Sequence, residues 1–188
     1  MKYFEEETFT NREFENDEII SAEFENCTFS QCSFKNSDLT DAVFTECEFT
    51  DCDLSTAKLD NTALREVIFT NCKMLGLHFE DCNKFLLAFE FKNCVLDFSA
   101  FRELKLKNTR FTDCRLKETD FTDADLSKAV FDNCNLESAV FNFTNLEGAD
   151  LRKAYNFSLD PEQNHLRKAK FSSQNLSGLL DKYELSIE

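Results

Sequence analysis

Nine cysteines, two histidines and 36 carboxylates are the residues of this 188-residue chain whose types could do chemistry, and their spacing limits what that chemistry is. The cysteines (Cys27, Cys32, Cys47, Cys52, Cys72, Cys82, Cys94, Cys114 and Cys134) recur at multiples of five, with a single step of twelve between Cys82 and Cys94. No CxxC or HExxH spacing occurs, so neither a redox dithiol nor a zinc-protease helix is encoded. His78 and His165 have no nucleophile near them in sequence, and Gly76, Gly148 and Gly178 stand alone, which leaves no loop to cradle a phosphate. A carboxylate pair at glycosidase separation would need a cleft around it. An enzyme, a cofactor and a metal site are therefore not expected.

The elements that position these residues follow from an unusual period. Thr119 to Lys153 divides without remainder into seven five-residue blocks: TDFTD, ADLSK, AVFDN, CNLES, AVFNF, TNLEG and ADLRK. The third residue of each block is Phe or Leu and the first is small. A helix face recurs every 3.6 residues and a strand face every two, so a five-residue period means a coil that makes one short side per block and then turns. The same phase runs back through Phe79 to Phe4 with no polar residue at a central position. It breaks only between Phe79 and Phe91, where two residues are inserted, and Glu80 to Ala88 reads as a bulge or small loop.

If four blocks make one turn, residues twenty apart stack. One column then reads Phe9, Phe29, Phe49, Phe69, Phe91, Phe111 and Phe131, and a second reads Cys32, Cys52, Cys72, Cys94, Cys114 and Cys134. Both stay continuous only when the two inserted residues are counted. Residues 1–153 are thus expected to form an all-β solenoid of about seven to eight coils, each burying its inward pair against the coils above and below. Every cysteine falls in the small inward slot, Cys82 at the edge of the bulge, where a free thiol acts as a small hydrophobe. Stacked cysteines would hold their Cβ atoms about 4.8 Å apart, beyond the ~3.5–4.5 Å of a disulfide. An odd number of buried thiols points to a reducing compartment, and the absence of an apolar run long enough for a bilayer to a cytoplasmic protein without a membrane anchor.

Blocks of the form A(D/N)LXX resemble the pentapeptide-repeat proteins. That resemblance implies a right-handed, quadrilateral β-helix with the central Phe or Leu and the small residue two places earlier pointing inward. Past Lys153, residues 154–188 contain the single proline, Pro161, and then Ser173 or Asn175 as a cap for a short helix whose Leu176, Leu179, Leu180 and Tyr183 follow a helical stripe. Leu185 and Ile187 alternate with polar residues like a closing strand. These residues read as a hydrophobic lid on the last coil. In the members this tail resembles, the same elements join two rods end to end, which implies a homodimer.

Charge is the remaining clue to function. The net charge is −15, and residues 1–60 carry 16 acids against 4 bases. Phosphate neutralisation needs a basic surface, so direct nucleic-acid binding is disfavoured and a protein partner with a basic groove is expected. Asp38, Asp41, Glu46, Glu48, Asp51 and Asp53 all occupy outward slots and form the expected partner-binding acidic surface. Arg102, Lys105, Lys107 and Arg110 form a basic girdle further along. Quinolone-resistance and microcin-immunity members of the family resemble duplex DNA in width and charge, so the resemblance implies a DNA mimic that engages DNA gyrase or topoisomerase IV. The alternative is a rigid interaction scaffold for another protein.

Overall fold

The structure, a computed structural model, describes residues 2–14 and 16–186. In chain order the strands are β1 (Tyr3–Glu5), β2 (Thr8–Thr10), β3 (Glu23–Glu25), β4 (Thr28–Ser30), β5 (Val43–Thr45), β6 (Glu48–Thr50), β7 (Ala63–Arg65), β8 (Val67–Thr70), β9 (Phe89–Lys92), β10 (Arg110–Thr112) and β11 (Val130–Asp132). A single helical turn, α1 (Asn16–Ile19), lies between β2 and β3. Strands β1-β3-β5-β7 make one parallel sheet, the first side of the coil, and β2-β4-β6-β8-β9-β10-β11 make another, the second side. The third and fourth sides pair through isolated parallel bridges such as Ser33 with Asp53 and Ala100 with Asp120. The chain is a parallel β-solenoid.

Register is set by twenty-residue steps: Phe9 opposes Phe29, Phe29 opposes Phe49 and Phe49 opposes Phe69. The step lengthens to twenty-two at Phe69 with Phe91 and returns to twenty at Phe111 and Phe131. Hydrogen bonds between successive coils run along the rod, as in Asp113 N to Asp132 O at 2.8 Å. The corners have their own rule. Two places after most central residues the chain adopts a left-handed conformation, for instance Asn26 at φ 51°, Asp51 at φ 56° and Asn71 at φ 57°. Asn and Asp accept that region more readily than other non-glycine residues, which explains their frequency there. Their side chains then stack into ladders, Asp51 accepting from Asn71 Nδ2 at 3.0 Å and Asn71 from Asn93 Nδ2 at 2.9 Å.

The interior is a phenylalanine stack. Ring centroids along the second side lie 5.1, 4.6, 5.0, 5.5, 5.3 and 4.9 Å apart from Phe9 to Phe131. Offset or edge-on ring pairs add to the area that burial removes from water.

The cysteine slot has a second property besides size. Each column thiol reaches the carbonyl oxygen of the central residue one coil below, as in Cys52 Sγ to Phe29 O at 3.4 Å, Cys94 to Phe69 at 3.4 Å and Cys134 to Phe111 at 3.3 Å. Thr62, Thr119 and Thr144 donate the same bond from the same slot, to Leu39, Leu96 and Phe121. A small side chain with a donor therefore suits this position. All nine thiols are free and buried, and burial pushes Cys27, Cys32 and Cys82 up and Cys47 up to about 12. Since the thiolate is the reactive form, a chromogenic disulfide reagent at pH 8 should label none of the nine in the folded protein and all nine in denaturant. Fast labelling of any column cysteine under native conditions would contradict the inward assignment.

The rod's two ends are closed differently. In the first coil the small inward slots hold Lys2, Glu7 and Arg12, and the Arg12 guanidinium lies 5.5 Å from the Phe9 ring centroid and 4.6 Å from that of Phe14 while pairing with Glu18. A charged side chain thus covers the first rings and makes further stacking unfavourable.

At the other end the tail differs from expectation. The helical turns at Ser173–Leu179 and Asp181–Tyr183 are of 3-10 type, not an α-helix, and Asn175, which lies inside the first, donates to Ala154 O at 2.6 Å instead of capping. Leu185 and Ser186 are not in a strand, and Ile187 lies outside the described residues. The reason is Gly178, buried against Phe157, with its carbonyl accepting from Leu159 N at 2.8 Å. A Cβ there would meet Phe157 O at 2.1 Å. The tail hugs the coil too closely for an α-helical stripe.

The bulge follows a 3-10 turn at Phe79–Asp81. Asn83 anchors it by donating from Nδ2 to Asn61 Oδ1 at 2.9 Å and accepting from Phe85 N at 3.0 Å. Leu87 packs against the core, while Phe85 and Leu86 stand 67% and 64% exposed.

Candidate functional surface

The six acidic residues singled out from sequence do not share one side of the rod. Asp38 is on the fourth side, Asp41 at the corner leading to the first, Glu46 at the corner between first and second, Glu48 on the second, Asp51 at the next corner and Asp53 on the third. They form a collar around less than one full coil. Four of them also serve the fold. Asp38 accepts from the hydroxyl and amide of Thr40 and lies 3.6 Å from Lys58, and these donors hold its carboxyl below the usual range. Asp53 accepts from Ser55 N at 2.9 Å, Asp41 from Asn61 Nδ2 at 2.7 Å, and Asp51 from Asn71. Glu46 and Glu48 project as exposed side chains. Asp38 and Asp53 are half-buried and the other four exposed, and which side each occupies depends on where the corners fall.

The basic girdle is likewise divided. Arg102 is occupied by Asp120 at 2.6 Å, while Lys105, Lys107 and Arg110 make no ion pair among the described residues.

Groups that could act as catalysts are kept apart or engaged. His78 is on the fourth side beside Glu80 at 3.2 Å, and His165 is on the first side near the C-terminal end. Among the described residues Asp97 is the buried carboxylate, and Arg115 Nε at 2.7 Å and Lys117 N at 3.1 Å occupy it. No group of three or more His, Cys, Asp or Glu among the described residues could hold a metal ion, and no helix there is long and apolar enough to cross a membrane.

In the tail, Leu179 and Leu180 are half-buried, whereas Leu176, Tyr183 and Leu185 are exposed. Lys182 ties the tail down through Asp160 and Glu162, each at 2.7 Å.

The profile of a family described as "Pentapeptide repeat region" matches residues 22–90 and 86–155. Among solved structures, two trypsin-treated forms of QnrB1, described as a plasmid-mediated fluoroquinolone resistance protein, are similar in fold. They are 17% and 18% identical to this chain with TM-scores of 0.63 and 0.64, and the alignments cover 99% and 96% of this chain and 100% and 97% of theirs. No curated protein matches the chain.

Proposed function

The chain belongs to the pentapeptide-repeat family, and from that premise we propose that it is a non-enzymatic acidic rod that docks into the basic groove of a nucleic-acid enzyme, with DNA gyrase or topoisomerase IV as the partner to test. The carrying observation is the charge of the N-terminal coils, 16 acids against 4 bases in residues 1–60, with the collar of Asp38, Asp41, Glu46, Glu48, Asp51 and Asp53 running around most of one coil. Duplex DNA carries one charge per ~1.7 Å, or about 21 over ~36 Å, a length close to that of the repeat region. The net charge of the whole chain is −15. Charge on every side suits a groove that wraps a duplex better than it suits a flat partner. Because QnrB1 is a fluoroquinolone resistance protein, quinolone or toxin action on the topoisomerase is the process to assay.

A rigid scaffold for a different protein partner is the second reading. It is favoured by the cluster of unpaired Lys105, Lys107 and Arg110, which a basic groove would repel. In either case the five-residue blocks of residues 1–153 make most of the rod, a last partial coil pairing through Tyr155, His165 and Lys170 extends it, the remainder of residues 154–188 caps it, and the protein acts in the cytoplasm, where its free thiols stay reduced. The exposed Leu176, Tyr183 and Leu185 support end-to-end dimerisation through the tail.

The test is a supercoiling assay with purified gyrase titrated with this protein, with and without a quinolone. Inhibition or protection should appear with the wild type and fade steeply as salt rises, because exposed charges are screened within ~8 Å at physiological ionic strength. Replacing the six collar residues by Asn or Gln keeps their hydrogen-bonding oxygens and removes about six charges, so folding should be nearly intact and the effect lost. An effect indifferent to both salt and the six replacements would sink the mimic reading.

A further inference from the structure

We infer that the first side of the rod is a self-complementary docking surface for a second, antiparallel copy of this chain. The observation is a reversal of charge along a single line. The corner between the first and second sides reads Glu6, Asn26, Glu46 and Glu66 before the bulge, and Asn108, Lys128, Gly148 and Lys168 after it. All eight have left-handed φ between 51° and 67°. Glu6, Glu46, Glu66, Lys128 and Lys168 are exposed and make no ion pair among the described residues. The flat part of the side repeats the trend in net charge, with Glu5, Glu23 and Glu25 outnumbering Arg65 towards one end and Lys105, Lys107 and Arg167 outnumbering Asp125 and Glu147 towards the other.

The bulge lies midway between the two halves of that line. It carries Phe85 and Leu86, the most exposed large hydrophobic residues on the first side. Leu86 holds a left-handed φ of 57°, a conformation uncommon for a branched apolar residue and found where structure over-determines it. A two-fold axis in the plane of the interface and through the bulge brings the two copies together antiparallel. It sets Glu6 against Lys168 and Glu46 against Lys128, each twice by symmetry, with Phe85 and Leu86 meeting their own equivalents at the centre. This is an isologous contact, which closes at two copies. The same register opposes Glu25 to Glu147 and Arg65 to Lys107, like charges that keep the association weak. A side about 38 Å long buries on the order of 1,000 Å² in total, the low end for specific interfaces.

Other occupants fit less well. A nucleic acid or an anionic membrane laid along this side would meet the acidic half as well as the basic one. A second copy meets each half with its opposite. The contact is separate from the tail and from the topoisomerase reading, and it rests on neither.

Sedimentation equilibrium of the full chain, at concentrations up to about 100 µM for so weak an interface, tests it. A dimerisation step is expected whose dissociation constant rises at least ~10-fold between about 50 mM and about 500 mM salt. The pair Glu6→Lys with Glu46→Lys, and separately Lys128→Glu with Lys168→Glu, should each abolish that step. An equimolar mixture of the two variants should restore it, since each of the four opposed corner pairs is again of opposite sign, and the recovery itself shows that both variants fold. Phe85→Ser with Leu86→Ser should remove the step without altering charge. No salt-dependent association of the wild type, a variant that associates as tightly as the wild type, or a mixture that stays dissociated overturns the inference. Association through the tail would be indifferent to all of these changes.

Discussion

Phe111→Ala should lower stability by roughly 3–5 kcal/mol, whereas Thr112→Ala, one residue along, should cost less than about 0.5 kcal/mol. Phe111 is fully buried and sits between Phe91 at 5.3 Å and Phe131 at 4.9 Å, with the rings of Phe101 and Phe121 edge-on at 6.1 Å. None of these neighbours can collapse into the hole. Each is fixed by its own coil, and the coils are held apart at hydrogen-bonded spacing, so the cavity persists and its full cost is felt. Thr112 takes part in the same strand, but its side chain points outward. Urea melts of the two variants, compared with wild type, measure the difference. Equal destabilisation would mean that the inward and outward slots are wrongly assigned. Because each coil contacts only its neighbours, the loss should be greatest in coils next to Phe111 and smaller at the ends, which residue-resolved hydrogen exchange can separate.

That asymmetry is also why so much of the fold is legible in the sequence. A large apolar residue at one position in five, mostly Phe or Leu, and a mostly small one two places earlier suit a narrow interior, and the twelve-residue gap between Phe79 and Phe91 marks the bulge directly. What the period does not reveal depends on chemistry that is not periodic. Arg12 occupies a slot that is small elsewhere because nothing stacks beneath it, so there the phase rule gives the position and not its role. The Asn and Asp residues at the corners are outward by phase, but their left-handed backbone and their ladders come from a turn geometry that hydrophobic spacing does not encode. The collar acids are outward for the same reason, and their spread over four sides follows only once the corners are fixed. Charge reversal along one corner is invisible in a linear count, where residues 61–110 simply carry 6 acids and 8 bases.

The tail shows the opposite case, in which a local pattern is overruled by a contact distant in sequence. Leu176, Leu179, Leu180 and Tyr183 have helical spacing, yet the chain takes 3-10 turns because Gly178 must lie against Phe157. Only Leu179 then packs against the core, and Leu176 and Tyr183 are left outside. An isolated glycine in a helical pattern signals either a weak helix or a close approach, and here the close approach decides.

Gly178→Ala should therefore release the tail while leaving the rod folded. The added Cβ would fall 2.1 Å from Phe157 O and 2.9 Å from two Phe157 ring carbons, and the nearest of these is backbone, which cannot rotate away. Phe157 is itself buried, so the clash must be relieved by moving the tail. Overpacking of this kind costs about 1–3 kcal/mol or more, and what it opposes is small: the Leu159 N to Gly178 O bond at 2.8 Å, the Asn175 bond to Ala154 O, packing of Leu179, and the exposed pairs of Lys182 with Asp160 and Glu162. Surface ion pairs add only about 0–1 kcal/mol each. The tail should therefore undock as a unit. Trypsin should cut at Lys182 far faster than in the wild type, and the Leu159 amide should lose its protection from hydrogen exchange. The Asp113 amide, bonded to Asp132 O at 2.8 Å in the middle of the rod, should keep its protection. If end-to-end dimerisation runs through the tail, it should disappear in the same variant, whereas the salt-dependent step through the first side should persist. Unchanged protection of Leu159 in Gly178→Ala would show that the tail is not held by this contact.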